Sequence, residues 1–386
     1  MTAQAPARLK RDRKRRILVL SAGGIQSGIQ ALYIGMNNGD WSILSNVFSP
    51  YPKKVRELIE QLNETQKPVK LSELGWLEYK ISMLFLESAT TALAQTPKSL
   101  SKPSVVVMNK LTLWKGPTGE NLQQSNWDLT LGDAQFIASF MNTPVLTNFI
   151  RHNILAGGPG ILPSFSGNLK IAGDMAGINI FLNIGLVSRI HIIDTSSSEL
   201  LFESDTGPGT VLIDKCAREA HCPDGIDRDG TLSSKGKVNT ECLELLAQEA
   251  WFKKPSPKQA SVDSFCFILE NTVLDKLNSV DRLATVTALT AKTIYDFYVR
   301  EYTLNLLPET LWVSGGGSNN FALIDYLSAY FDPIPVKSVE KLGIPADMKV
   351  PLTLGLTVDA YLNGIAVPWE SGNNPKIDPL ANWVLP

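Results

Sequence analysis

The sequence predicts an α/β protein of two similar lobes, and three observations lead there. At 386 residues, 44% of them apolar, the chain exceeds one typical core and can fill two. Each half opens on a strand, a glycine-bearing turn and a second strand, and then continues into helical patterning. Late in the chain, residues 311–314 form a short apolar strand that runs straight into Gly315-Gly316-Gly317 and a helix. Unpaired helix N–H groups at such a junction suit phosphate or ribose. The expected organisation is a basic flexible tail over 1–16, one lobe over 17–176, and a second over 177–386 that carries the glycine-rich junction.

The element order supports this. Residues 16–35 read as a hairpin, and apolar residues recur at helical spacing over 55–62 and 74–93, where Leu74, Leu77, Ile81, Leu84 and Phe85 make one stripe. A buried strand over 105–108, a hairpin around 114–130, a helix opened by Leu131-Gly132-Asp133 and a strand over 143–149 follow. Residues 153–160, NILAGGPG, read as a glycine-rich loop where backbone can approach a ligand. The second half repeats the pattern with strand, turn and strand over 179–194. Helices are expected over 214–220, 242–251, 281–298 with Asp281 as cap, 319–330, and 347–363 with Pro351 near its start.

Composition narrows the function classes. A formal charge of −2 and a pI near 6.0 argue against nucleic-acid binding, which needs a strong basic excess. One local exception exists: Arg8, Lys10, Arg11, Arg13, Lys14, Arg15 and Arg16 crowd before the first apolar run. That run reads as a nuclear address, an anionic-surface contact or a solvated tail. No apolar stretch is long enough to span a membrane and the start lacks the order of a secretory signal, so a cytoplasmic protein is expected, with the nucleus left open by the basic run. Cys216, Cys222, Cys242 and Cys266 lack paired metal spacing, and His221 beside Cys222 has no second ligand pair.

The stretch 202–214, FESDTGPGTVLID, sets an acid, a threonine and two glycines between apolar runs. Gly207 and Gly209 carry no Cβ to hold a ligand off the backbone, Pro208 stiffens the loop, and Asp205 and Thr206 offer oxygens to a hydrated cation. The same residues also suit an ordinary strand-to-helix connection.

Two hairpin-and-helix halves facing a cleft resemble the layout of actin-like ATPases and sugar kinases, with ribonuclease H-like lobes. Motif by motif, the chain after the basic tail resembles the anhydro-N-acetylmuramic acid kinase family. LGDAQFIA is similar to IGD-x-x-x-IA, NFIRHNILAGGPG to DFR-x-x-D-x-A-x-GG-x-G, FLNIGLVSRI to a NIGGIAN hairpin, and SDTGPGTVLID to DTGPGN-x-L-x-D. DRDGTLSSKGKV, LATVTALTAKTI and SGGGSNN resemble the family's D-x-x-G-x-x-A-x-x-G-x-V, ATLT-x-x-TA-x-x-I and GGG-x-x-N.

The resemblance implies ATP and magnesium, phosphate placed on a sugar O6, water opening a 1,6-anhydro bridge, and a carboxylate that activates this water. It implies nucleotide contacts at Gly23, Gly24, Asp205, Thr206, Gly207, Gly209, Gly315, Gly316 and Gly317, with Asp205 also on the metal. The departures fall where chemistry would occur. The family's SGTSLDGID turn aligns with AGGIQSGIQ, which puts Gly24 and Ile25 at hydroxyl positions and Ser27 and Gln30 at aspartate positions. Asn153 stands at the aspartate taken as the water-activating base, Asn148 at the first aspartate of that motif, and Ile150 at its arginine. Asn109 takes the histidine of HGQT, Val350 replaces a glutamate, and the PKSTGRE match keeps Lys258 but loses two hydroxyls, the glycine and the arginine. Asp133 and Asp227 are the candidate substitute bases. The expected protein is an ATP-binding sugar-kinase homologue with impaired or altered transfer to an amino sugar or another hydroxyl-bearing acceptor. The alternative is an inactive pseudokinase that binds or scaffolds, and a homodimer is implied by analogy with the family alone.

Overall fold

The computed structural model describes residues 6–12, 14–23, 28–63, 68–115, 127–158, 160–304, 306–365 and 380–386. The chain packs as two compact units, one of Met1–Ile171 with Val350–Pro386 and one of Ala172–Lys349.

Unit 1 is built on a six-stranded sheet. Its strands are β1 (Lys14–Ala22), β2 (Gly28–Asn37), β3 (Asp40–Pro50), β4 (Val105–Asn109), β7 (Val145–Thr147) and β13 (Asn382–Val384), in the order β13-β7-β4-β1-β2-β3. β1, β2 and β3 form an antiparallel meander with Leu18 opposite Tyr33, while β4 and β7 run parallel to β1. β5 (Leu111–Lys115) and β6 (Asp128–Leu131) pair separately. The helices are α1 (Ala7–Arg11), α2 (Lys53–Asn63), α3 (Leu71–Ala94), α4 (Ala134–Met141), α5 (Phe149–Leu155), α6 (Phe165–Ala172), which ends at the unit boundary, and α11 (Lys349–Leu362), which begins there.

Strand alternation assigns the two faces of this sheet. Leu18, Leu20, Ile29, Ala31 and Tyr33 bury against Leu77, Ile81 and Phe85 of α3, whereas Val19 and Ile34 lie against α11. A Cβ at Gly355 of α11 would come within 2.8 Å of both, so glycine sets that close approach. Thr353 and Gly167 make a second tight crossing, with the Gly167 N–H donating to the Thr357 hydroxyl at 3.0 Å.

Unit 2 repeats the sheet order on its own scale. β8 (Ile178–Ile184), β9 (Val187–Asp194), β10 (Glu199–Pro208), β11 (Thr310–Ser314) and β12 (Val336–Ser338) lie as β10-β9-β8-β11-β12, the first three antiparallel and the last two parallel to β8. Three meander strands followed by two parallel ones is the ribonuclease H-like arrangement, and both units have it. α7 (Val211–Glu219), α8 (Thr240–Ala247), α9 (Ser279–Glu301) and α10 (Phe321–Phe331) complete the unit. Leu283, Val286, Leu289, Ile294 and Phe297 of α9 pack with Ile180, Leu182, Ile190 and Ile192 in one core.

Five expectations change. The last stretch, from Val350, belongs to unit 1 rather than the C-terminal lobe, because α11 covers β1 and β2 and β13 extends the sheet at β7. The basic tail is structured from residue 6 to 12, Leu9 is buried, and Arg15 is 2% exposed within β1. Its guanidinium donates to Asp359 at 2.7 Å, to Asn363 at 2.9 Å and to the Leu9 carbonyl at 2.8 Å. Residues 153–155 end helix α5 instead of opening a loop. The cap of α9 is Asn278, whose side chain accepts from the Val280 and Asp281 N–H groups. Residues 202–208 are strand, which an edge position permits even at Pro208. Among the described residues no helix is long and apolar enough to cross a membrane.

Candidate functional site

In unit 2 three predicted motifs meet at one end of the sheet. The turn between β8 and β9 supplies the Gly185 and Leu186 carbonyls, which accept from Thr210 N–H at 2.8 Å and Gly209 N–H at 2.9 Å. A Cβ at Gly209 would overlap the Gly185 carbonyl, and one at Gly317 would overlap the Ile184 side chain. Gly315 sits at φ +85 with the Ile184 carbonyl 2.6 Å from where its Cβ would be. Gly207 leaves room for Thr293 of α9, and Thr290 of α9 donates to the Gly209 carbonyl at 3.0 Å. These four glycines are therefore required by packing. Gly316 differs: it is exposed, and a Cβ there would meet nothing within 4 Å.

The glycine run does not lead directly into a helix N-terminus. It forms a short turn of Gly316–Asn319, and α10 starts afterwards under an Asn320 side chain that accepts from Leu323 N–H.

Asp205 and Thr206 are engaged within the fold. Asp205 accepts from Arg189 at 2.8 Å through one oxygen and from Ala260 N–H at 2.9 Å through the other. Thr206 is buried and donates to the Ser188 carbonyl at 3.3 Å. Asp205 is one rung of a charge ladder that the sequence reading missed, in which Arg189 and His191 of β9 face Asp205 and Glu203 of β10 in register. Arg189 donates to Glu203 at 2.9 Å, and His191 Nε2 lies 2.9 Å from the same oxygen. Burial pushes the Glu203 carboxyl up, but His191 and Arg189 outweigh it and hold the group well below the usual carboxylate range. Burial lowers His191 against the pull of Glu203, and it draws the Lys349 ammonium down to about 7. The signal was present as charges at every second position of two neighbouring strands.

Lys258 lies beside this ladder, its peptide carbonyl accepting from Asp205 N–H at 3.1 Å. Its ammonium donates to the Phe252 carbonyl at 2.8 Å and stands 4.3 Å from the Trp251 ring centroid, and burial lowers it to about 8. Asp227 is buried and accepts from Leu232 and Ser233 N–H groups. Asp214 takes a hydrogen bond from Thr210 at 2.8 Å, and burial raises it to about 6. Among the described residues no group of three His, Cys, Asp or Glu side chains could hold a metal ion.

In unit 1, Asn153 is 0% exposed. Its carboxamide oxygen accepts from Gly160 N–H at 2.7 Å and Ile161 N–H at 3.0 Å, while its Nδ2 has no partner. Asn148 begins α5 in the left-handed region at φ 65. Asn109 donates to Ser21 at 3.0 Å, and exposed Asp133 caps α4. Gly23 N–H donates to the Gly28 carbonyl at 2.8 Å. Gln30 lies inside β2 opposite Ser21 rather than in a turn. Gly24, Ile25 and Ser27 lie outside the described residues.

Several known proteins with similar sequences carry the same description. A kinase from Xylella fastidiosa described as anhydro-N-acetylmuramic acid kinase is 27% identical over 86% of this chain and 85% of its own length. One from Hydrogenovibrio crunogenus with that description is 29% identical over 84% of this chain and 86% of its own length. Among solved structures, the activator of the 2-hydroxyisocaproyl-CoA dehydratase from Clostridium difficile aligns at 10% identity and a TM-score of 0.44, over 91% of this chain and 96% of that one. The model of the family described as anhydro-N-acetylmuramic acid kinase matches residues 15–374, and the chain belongs to that family of sugar kinases.

Proposed function

We propose that this family member binds ATP through unit 2 and transfers phosphate to an amino sugar or another hydroxyl acceptor with impaired or altered efficiency. The observation that carries the reading is the state of the candidate proton acceptors. Asp205 is ion-paired with Arg189 and accepts from Ala260 N–H, Asp227 is buried against two backbone N–H groups, Asp133 caps a helix, and an amide stands at 153. An amide cannot accept a proton from water at a useful pKa, and loss of a general base costs about 10²–10⁴ in rate.

On this reading the nucleotide lies at the glycine junction of unit 2. Gly316 opens main chain to solvent between two glycines locked by packing, and its neighbours hold that backbone rigid. Bound ATP would supply the transferable phosphoryl group. Gly209 and Thr210 N–H groups already serve the β8–β9 turn, so they position the junction rather than contact phosphate. The described residues do not fit a metal at Asp205, whose oxygens face a guanidinium and a backbone N–H.

The Asp205–Arg189 pair also favours a second reading, an inactive pseudokinase that binds nucleotide for scaffolding. One assay separates the two. Purified protein with ATP, magnesium and anhydro-N-acetylmuramic acid is expected to show a nucleotide-dependent rise in melting temperature and ADP release at least ~10²-fold slower than the Xylella fastidiosa kinase measured alongside. Turnover equal to that kinase would sink the proposal, a thermal shift with no ADP from any amino sugar selects the pseudokinase, and no shift at all removes nucleotide binding.

A further inference from the structure

The basic run at 8–16 is a motif that the sugar-kinase reading leaves unused. It carries seven of the chain's 36 basic residues and one of its 38 acidic ones, so the remainder of the chain has an acidic excess. The fold sorts these charges instead of leaving them on a loose tail. Arg15 turns inward, where its guanidinium is bonded to Asp359, Asn363 and the Leu9 carbonyl, and Leu9 is buried beside it. These contacts pin α1 to the start of β1 and leave Arg8, Lys10 and Lys14 exposed. Arg8 lies 3.6 Å from Asp12 with its side chain 90% exposed, a surface pair that holds it only weakly.

More cations come to the same end of the sheet from elsewhere in unit 1. The Ser104 N–H donates to the Arg16 carbonyl at 2.7 Å, and the Arg16 guanidinium donates to the Ser99 carbonyl at 2.9 Å. The segment that bears exposed Lys98 and Lys102 is thereby held alongside the start of β1. Lys14 pairs with Asn37, next to the Asn38–Gly39 turn, and Lys170 of α6 reaches that turn with its Nζ 3.6 Å from where a Gly39 Cβ would be. Asp12 and Asp40 stand among these cations and are outnumbered by them. From here β1 runs nine residues, about 30 Å, to Ala22 and Gly23. Asn109 and Asn148 come at the ends of β4 and β7, which run parallel to β1. The basic end therefore lies opposite the strand ends that carry the candidate site, and covering it leaves them open.

We infer that this end of unit 1 docks on an anionic lipid surface. Its cations come from four separate stretches, namely α1, the start of β1, the segment 98–104 and the end of α6, and a charged plane meets such a spread all at once. α1, at five residues, is too short to track a nucleic-acid groove, and the acidic remainder of the chain repels a long polyanion that runs past the patch. Among the described residues no helix is long and apolar enough to cross a bilayer, so the attachment is peripheral and electrostatic. Leu9 and Arg15 have already ordered the run, so binding does not pay for ordering it. Each basic side chain brought to an anionic leaflet is worth about fivefold in partitioning, and salt screens it.

The test is sedimentation of the full chain with vesicles made of equal parts phosphatidylcholine and phosphatidylserine, or of phosphatidylcholine alone. The protein is expected to bind the mixed vesicles at low salt, to ignore the neutral ones and to be released as salt is raised. Combining Arg8→Gln, Lys10→Gln and Lys14→Gln should weaken binding about a hundredfold. Combining Lys53→Gln, Lys54→Gln and Arg56→Gln removes the same charge from α2, which follows Pro50 at the other end of the sheet, and should change binding less than about fivefold. Exposed Arg8, Lys10 and Lys14 leave the melting temperature unchanged when replaced, which separates lost docking from lost folding. Failure of the wild type to bind the mixed vesicles, or an equal loss in the two triple variants, overturns the inference. So does single-stranded RNA that strips the protein from the vesicles at equal phosphate concentration, an outcome that would assign this face to nucleic acid.

Discussion

Gly209 and Gly316 look alike in a motif but answer to different forces. A methyl group at Gly209 would overlap the Gly185 carbonyl, while one at Gly316 meets open space. Gly209→Ala is therefore expected to lower unfolding stability by about 1–3 kcal/mol through overpacking. Gly316→Ala should stay within about 0.5 kcal/mol of the parent in a urea titration. If nucleotide approaches there, bulky Gly316→Val weakens the ATP-dependent thermal shift without changing the melting temperature of the free protein. Asn153 shows the limit of a motif in the other direction. Its two backbone donors suit a carboxylate, so Asn153→Asp should fold. The side chain does not reach solvent, and turnover is expected to change by less than about tenfold, short of what a restored base gives; a hundredfold gain in ADP release would contradict this. Position 153 was visible in the sequence as a substitution, but its burial was not, since that depends on Gly158, Gly160 and Ile161 coming back against it.

At the scale of elements, the β9–β10 ladder links charge to stability. Glu203 has its folded-state pKa depressed below the value of 4.5 it would have in an unfolded chain. It therefore contributes stability that is fully present above about pH 4.5 and lost as pH falls through the lower folded value. Glu203→Gln removes one partner from a buried set and should cost about 3–5 kcal/mol at neutral pH, a deficit that narrows in acid unfolding curves taken below pH 4.5. Lys349 acts at the other end of the scale. Its folded value near 7 lies under the unfolded 10.5, so the unfolded chain binds the extra proton and stability rises as pH climbs between them. Strands such as β1, β2, β8 and β9 were legible as short apolar runs on either side of a turn, because a sheet covered on both faces buries successive residues such as Ile17, Leu18, Val19 and Leu20. The stretch at 202–208 was read as a loop because glycine and proline usually punctuate; here a Gly-Pro pair sits at the end of an edge strand, a position that tolerates proline. The three-residue β13 carries too short a pattern to be seen at all, and only its pairing with β7 defines it.

At the scale of the whole molecule, doubling of the fold could be read from the repeated hairpins, whereas the membership of the last segment could not. Apolar periodicity shows that residues 350–362 form a helix with buried positions, but it does not say which sheet receives them. Leu352, Leu354, Leu356, Val358 and Leu362 are all buried, and Asp359 closes the ion pair with buried Arg15. A fragment of residues 172–349 is accordingly expected to melt cooperatively, whereas residues 1–349 should give one transition, from unit 2, with the first sheet unprotected in hydrogen exchange. Two transitions from the truncated chain would show that unit 1 folds without α11.

This interleaving also sets a timetable on the ribosome. The strands of unit 1 emerge first, but the helix that shields their second face is made only after all of Ala172–Lys349. At roughly 5–20 residues per second, that is a delay on the order of ten to forty seconds, during which an apolar sheet face waits uncovered and unit 2 matures ahead of it. Synthesis therefore completes the lobes in reverse of their order in the gene, and the early strands are the natural clients for a chaperone.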